Sequence, residues 1–233
     1  FTNEAIIGLN PYDDKLLIYK FNKLWMSYFV NEKWSAPVKI EGERNFSSYQ
    51  PHGSMTADGK TMYISMGNSS TSAKSTNQLD IYVLKLNDDN TWSNPVSLGL
   101  PINSEYAEDS PEISADGQVL FFSSKRQGGF GGYDIYMSVL ENNKWSDPIN
   151  LGEPINSPAD ELYFKLNKEG DKAYYASNRA NDYGDMDVYS VYFNVTLLSK
   201  AKPFVNKQRQ VTLSAKDLKT DSTLAVNYEW ILP

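Results

Sequence analysis

Three copies of one phrase run through the chain and limit what it can fold into. Trp34-Ser35-Ala36-Pro37-Val38, Trp92-Ser93-Asn94-Pro95-Val96 and Trp145-Ser146-Asp147-Pro148-Ile149 follow one another at intervals of 58 and 53 residues. A second phrase keeps step: Asp80-Ile81-Tyr82, Asp134-Ile135-Tyr136 and Asp187-Val188-Tyr189 are spaced by 54 and 53 residues. At a period near fifty, each copy is one supersecondary unit that cannot bury its apolar face alone, so neighbours must stack to make the core. Repetition also separates architecture from chemistry. A residue type found at the same place in every copy serves the fold, whereas a catalytic site is needed once.

The third copy reads as four short strands. Ser110 to Ser114 forms the first, opened by a proline where no ladder donor is needed. Asp116-Gly117 is a two-residue hairpin signal, and the apolar run Val119 to Ser123 follows as a buried strand. Gly128-Gly129-Phe130-Gly131-Gly132 makes a loop whose glycines permit positive φ. Asp134 to Leu140 alternates as a third strand, Asn142-Asn143 turns, and Trp145 to Leu151 is the fourth. Four antiparallel strands per copy, without helical periodicity, is the content of a propeller blade.

The other copies fit this template. The hairpin acid lies 18 residues before the third-strand aspartate in copies three (Asp116 to Asp134) and four (Glu169 to Asp187). In copy two the distance is 22, the extra four falling in the polar run Gly67 to Thr76. Copy one is degenerate, with Asp13-Asp14 at the hairpin and Trp25-Met26-Ser27 where Tyr136-Met137-Ser138 stands. Copy four lacks the Trp-Ser-x-Pro strand; either another segment completes that sheet or the last blade is open. The expected fold is therefore all-β. It is a propeller over residues 1–199 (blades 1–44, 45–105, 106–157 and 158–199), a linker over 200–209, and the start of a small β-sandwich over 210–233. Net charge supports the boundary, being −10 before Lys200 and +3 from there onward.

Sixteen tyrosines, ten phenylalanines and five tryptophans among 233 residues suit pleated, half-buried surfaces. The net charge of −7 argues against nucleic acid, which is held by Lys and Arg on phosphates. Without cysteine there is neither a disulfide framework nor thiolate chemistry, which fits a periplasmic or extracellular life. No apolar run approaches the roughly 18 residues of a bilayer span, so no direct membrane insertion is expected. The chain opens on Phe1 without a signal peptide and reads as a processed piece whose anchor would lie elsewhere.

These phrases resemble the WD-repeat-like propellers of the TolB type, whose blades carry Ser-Pro-x-x-Ser-x-Asp-Gly before an apolar strand. The likeness is good over about residues 45–193 and loose over 1–42. Further marks are Ser123-Ser124-Lys125-Arg126, the glycine loop leading into Tyr133-Asp134-Ile135-Tyr136, and Leu-Gly-x-Pro-Ile-Asn-Ser at 98–104 and 151–157. Together they resemble propellers of multidomain, outer-membrane-associated proteins of Bacteroidota-type bacteria, in the layout of the PorE-like component of type IX secretion. There the propeller sits between helical repeats and an OmpA-like peptidoglycan-binding domain. The stretch Val211 to Trp230 resembles the opening hairpin of the carboxypeptidase-regulatory-like sandwich beside it. Propellers of this family have more than four blades, so further blades are expected upstream of Phe1. The resemblance implies a periplasmic, non-catalytic scaffold whose partners are other envelope or secretion-complex proteins, with peptidoglycan reached only through a domain outside this chain.

The acids invite an enzymatic reading, because paired carboxylates do general acid and base work. Repetition answers most of it. Asp80, Asp134 and Asp187 recur at the start of third strands, where a short carboxylate accepts loop amides. Trp34, Trp92 and Trp145 recur on outer strands as packing between blades. Glu108-Asp109 and Asp160-Glu161 precede first strands, and Arg126 and Arg179 follow second strands, as inter-blade ion pairs or as ligand contacts. His52 is the only histidine, follows a first-strand proline much as Glu112 does, and cannot build a histidine metal site or a triad by itself. No cofactor, metal or catalytic residue is assigned. The alternative is a carbohydrate-binding or carbohydrate-active propeller, and a cluster of unrepeated ionisable residues at the channel mouth would favour it; the sequence displays none.

Strand order selects a face. The second-to-third loops and the blade-to-blade connections lie together, opposite the short Asp-Gly and Asn-Asn turns. That face carries the long loops at 67–78, 125–133 and 178–185 and the acidic linkers. Scaffolds display binding residues on such loops. Phe130 and Tyr183, with Tyr133 and the flanking Arg126 and Arg179, are the expected protein-contact residues.

Overall fold

The computed structural model describes residues 4–40, 51–67, 79–179, 185–193, 213–216 and 223–225. Within these every regular element is a strand, and no helix is long and apolar enough to cross a membrane. Blade 1 contains β1 (Glu4–Leu9), β2 (Lys15–Lys20), β3 (Lys23–Val30), β4 (Lys33–Trp34) and β5 (Val38–Lys39). Blade 2 contains β6 (Gly53–Met55), β7 (Thr61–Gly67), β8 (Leu79–Lys85) and β9 (Val96–Ser97). Blade 3 follows with β10 (Glu108–Ile113), β11 (Val119–Ser124), β12 (Asp134–Glu141), β13 (Lys144–Trp145) and β14 (Ile149–Asn150). Blade 4 has β15 (Glu161–Leu166), β16 (Lys172–Ser177) and β17 (Asp187–Phe193). Each blade is one antiparallel sheet in chain order, and the four form a β-propeller.

The Trp-Ser-x-Pro phrase is a strand broken on purpose by its own residues. In blade 3 the fourth strand is split into β13 and β14, both paired with β12. Pro148 brings no amide donor to the ladder. Ser146 bridges the gap: its amide donates to the Val139 carbonyl at 2.8 Å and its Oγ accepts the Val139 amide at 3.0 Å. Ser35 does the same with Tyr28, and Ser93 with Lys85, so the serine is a substitute rung.

The fourth sheet is completed from outside its own repeat. β18 (Leu213–Lys216) pairs with β17, and β19 (Thr223–Ala225) pairs with β18. This is the segment read from sequence as the opening of a sandwich, and it occupies the place that copy four left without a strand. The 200–209 linker lies outside the described residues.

Among the described residues, three apolar clusters form the core, each shared by two successive blades. Leu17, Met26, Met62 and Ile64 join blades 1 and 2; Tyr63, Ile102, Leu120 and Phe122 join blades 2 and 3; Phe121, Ile155, Phe164 and Tyr175 join blades 3 and 4. Alternation along each strand sends successive side chains to opposite neighbours. Both phrases feed these seams. Trp145 meets Tyr63 edge-on at 6.1 Å, Trp92 packs into the first cluster, and Ile102 and Ile155 of the Pro-Ile-Asn-Ser linkers are fully buried.

First strands begin earlier than the sequence implied. Glu108 and Asp109, read as a linker, are rungs of β10 opposite Ser124 and Ser123, and Glu161 is a rung of β15 opposite Ser177. These acids enter the sheet because hydroxyls meet them there. The register shifts between Asp109 and Glu112, where Ser110 takes a left-handed φ of 51°. Strand pairing also corrects the inter-blade alignment: Ser54, opposite Tyr63, is the residue that matches Glu112, opposite Phe121, whereas the proline alignment had put His52 there.

Candidate functional site

The loop-bearing face is built from two latches and one loop. In blade 3 the buried Glu108 carboxylate accepts the Ser104 amide (3.0 Å) and hydroxyl (2.5 Å), and the Ser124 hydroxyl (2.8 Å). Arg126 lies across it, with Nη2 3.5 Å from Glu108 and 2.6 Å from the Ile102 carbonyl. Its guanidinium also covers the rings of Phe122 and Tyr136 at 5.2 and 4.9 Å. Blade 4 repeats this with Glu161, Ser157, Ser177 and Arg179, whose Nη2 is 3.2 Å from Glu161 and 2.7 Å from the Ile155 carbonyl. Each arginine thus ties the incoming linker to its blade. Asn103 adds to the tie by donating to and accepting from the Ile81 backbone, as Asn156 does with Ile135. The sequence left inter-blade ion pairs and ligand contacts open for these arginines; the ion pairs found lie within a blade, Arg126 with Glu108 in blade 3 and Arg179 with Glu161 in blade 4.

The glycine loop of blade 3 wraps two carboxylates. Asp134 Oδ2 accepts the Phe130 amide at 2.5 Å and an Asn150 N–H at 3.0 Å, and the Gly131 amide also bonds to it. Burial, reinforced by the nearby Asp160 charge, lifts the Asp134 carboxyl above its usual range despite these donors. Asp160 Oδ1 takes the Tyr133 amide at 2.7 Å. A Cβ at Gly131 would strike the backbone of Ser157 and Ala159, so that position requires glycine, while one at Gly129 or Gly132 would press on the carboxylate of Asp134 or Asp160. Asp80 and Asp187 stand at the matching third-strand positions. Phe130 projects from this wrapped loop and is 47% exposed; Tyr133 is half-buried under Lys125. Beside the loop lies an open hollow of about 520 Å³ lined by Gly132, Ser157, Ala159, Asp160, Asn178 and Arg179. Tyr183 and the 67–78 insertion fall outside the described residues, apart from Gly67 at the end of β7.

Inner strands bring together a second group that sequence reasoning missed. His52 Nδ1 lies 3.0 Å from Asp109 Oδ1, which also accepts the Ser65 hydroxyl at 2.6 Å and the Ser110 amide at 2.6 Å. The His52 ring meets Tyr163 edge-on at 4.7 Å. One rung further along, Lys165 Nζ donates to Glu112 at 2.7 Å and to the Gly53 carbonyl at 3.1 Å. These residues come from three blades and differ at matching positions. That lack of repetition is the signal that could have found them. Ser65 thus donates its hydroxyl to the same aspartate oxygen that faces the imidazole.

Burial holds the Glu112 carboxyl above its ordinary value of 4.5, with the Lys165 charge pulling the other way. The folded state therefore binds this proton more tightly than the unfolded chain. The stability it contributes is complete below 4.5 and is lost as pH rises through the folded value. Urea midpoints measured from about pH 7 downward should show this as a stabilising slope, and Glu112→Gln should flatten it.

No protein-family model matches the sequence, and no curated protein does. Solved structures do match in shape. TolB from Acinetobacter baumannii superposes with a TM-score of 0.53 at 12% identity, covering 95% of this chain and 53% of that one. The fold is TolB-like. The chain thus spans about half the length of that TolB. A TolB of Agrobacterium tumefaciens matches at TM-score 0.46 and 14% identity, covering 95% of this chain and 79% of that one. An α-L-arabinofuranosidase of Lactobacillus brevis gives 0.49 and 11%, with coverages of 95% and 82%.

Proposed function

We propose that this TolB-like propeller is a non-catalytic, protein-binding scaffold of the periplasm. In the finer form of this reading, it belongs to an outer-membrane-associated, peptidoglycan-linked lipoprotein of a type IX secretion or related envelope complex. One observation carries the scaffold reading. Asp134, Glu108, Glu161, Arg126 and Arg179 are engaged with amides, hydroxyls and carbonyls of the blades and their linkers, while Phe130 stands exposed on the loop wrapped around Asp134. Aromatic side chains displayed on a rigid loop supply most of the energy of protein interfaces. Arg126 and Arg179 then support the face from beneath, and Phe130, with Tyr183, meets the partner. Pull-down from envelope extract with Phe130→Ala and Tyr183→Ala combined should lose the partner while thermal unfolding stays that of the parent. Retention of every partner by the folded double variant would reject the face.

A second reading draws on the unrepeated inner-strand group. His52, Tyr163 and Lys165 could hold a sugar on the propeller axis, making this a carbohydrate-binding or carbohydrate-active chain. Titration with oligosaccharides decides it, since that reading requires binding that His52→Ala abolishes.

A further inference from the structure

The hollow beside the glycine loop is set apart by residues that do not repeat. Ser104 matches Ser157 and Glu108 matches Glu161 at the two linkers, so Asp160 stands where Ala107 stands one blade earlier. Backbone bonds agree: the Lys125 amide donates to the Ala107 carbonyl at 3.0 Å, and the Asn178 amide to the Asp160 carbonyl at 3.4 Å. Where the seam between blades 2 and 3 has an alanine and a lysine, the seam between blades 3 and 4 has an aspartate and an asparagine. A carboxylate is gained there and the local cation is lost.

The fold uses only half of that carboxylate. Asp160 Oδ1 accepts the Tyr133 amide at 2.7 Å, while Oδ2 meets no donor and no cation among the described residues. The nearby cations are committed elsewhere. Arg179 lies on Glu161 and on the Pro154 and Ile155 carbonyls, and Lys125 lies over the Tyr133 ring. Asp160 and Asn178 line the open hollow of about 520 Å³, a volume typical of ligand pockets. Its walls are the glycine loop of blade 3, the linker and the end of β16, so it lies inside the array and not at either end. Phe130 stands exposed two residues before Gly132, which lines the hollow.

We propose that this hollow receives the lysine or arginine side chain of a partner peptide, its cation against Asp160 and a neighbouring apolar residue of the peptide on Phe130. The proposal rests on the protein-binding reading of this face and adds the chemistry of the partner. The charge of −10 carried by residues 1–199 favours the approach of a cationic segment.

An array of short, end-capped peptides tests this, with Arg, Lys, Gln or Glu at one position among Phe, Leu and Gly. The Arg and Lys peptides should retain the chain, and Asp160→Asn should weaken that binding about tenfold or more. Asparagine keeps an oxygen for the Tyr133 amide, so this variant should melt with the parent. Glu141→Gln removes an equal charge from the exposed end of β12, on the opposite face, and should leave binding within about twofold of the parent. Should Asp160→Asn not fold, the parent still decides: raising salt from about 50 to about 500 mM should weaken binding of the Arg and Lys peptides. No retention of any peptide, equal retention of the Gln and Glu peptides, binding that ignores salt, or a folded Asp160→Asn variant that binds like the parent would overturn the proposal. The face itself survives such a result if Phe130→Ala still loses the envelope partner, and falls with it if that partner is kept.

Discussion

Phe121→Ala is expected to lower stability by about 3–5 kcal/mol, the usual loss for a buried phenylalanine cut to alanine. Phe121 has no exposed surface and stacks on Phe164 of the next blade at 4.7 Å. The substitution removes a ring from the cluster that joins blades 3 and 4. For a chain of this size each kcal/mol moves the melting temperature by roughly 2–4 °C, so a fall of about 6–20 °C should be seen in a thermal scan. A fall of less than about 2 °C would mean that the blades are not held by this cluster.

Arg126→Ala should cost about as much, for a different reason. It strips the counter-charge from Glu108, which is fully buried, and removes the donor to the Ile102 carbonyl. Breaking one partner of a buried ion pair typically costs about 3–5 kcal/mol, because the remaining charge is left uncompensated. The cause can be separated from lost packing: adding Glu108→Gln to Arg126→Ala should recover part of the loss, since a neutral amide no longer needs the cation. If the double variant is less stable than Arg126→Ala alone, the charge is not what the arginine serves.

The fold was legible because its two phrases are both periodic and physically explicit. Trp-Ser-x-Pro marks an outer strand, and its serine and proline account for the break in β13 and β14 that the sequence alone presented as one strand. The direction of a side chain is what the sequence could not convey. Arg126 and Arg179 follow second strands on the loop-bearing face, which placed them with the contact residues, yet both turn back onto Glu108 and Glu161. Ser104 and Ser157 close the repeated Pro-Ile-Asn-Ser phrase and Ser124 and Ser177 end second strands, but only the assembled sheet shows that their hydroxyls meet the acids. His52 and Asp109 are 57 residues apart and share no phrase, so nothing local in the sequence joins them. The closing strands at 213–216 and 223–225 carry none of the repeat's marks, so their pairing to blade 4 had no local signal.

The glycine loop of blade 3 offers the most direct trial of the division between residues that hold the fold and residues that bind. Asp134 and Phe130 are four residues apart and joined by the 2.5 Å bond from the Phe130 amide, yet the account gives them opposite duties. Thermal unfolding of Asp134→Ala and Phe130→Ala, each followed by pull-down, should separate them. Asp134→Ala is expected to lose about 1–3 kcal/mol, the cost of leaving buried backbone donors without an acceptor, and to melt several degrees lower. Phe130→Ala should melt with the parent protein and fail to retain the partner. An Asp134→Ala variant that melts like the parent but no longer binds would contradict the account, because the repeated aspartate would then belong to the interface and not to the blade.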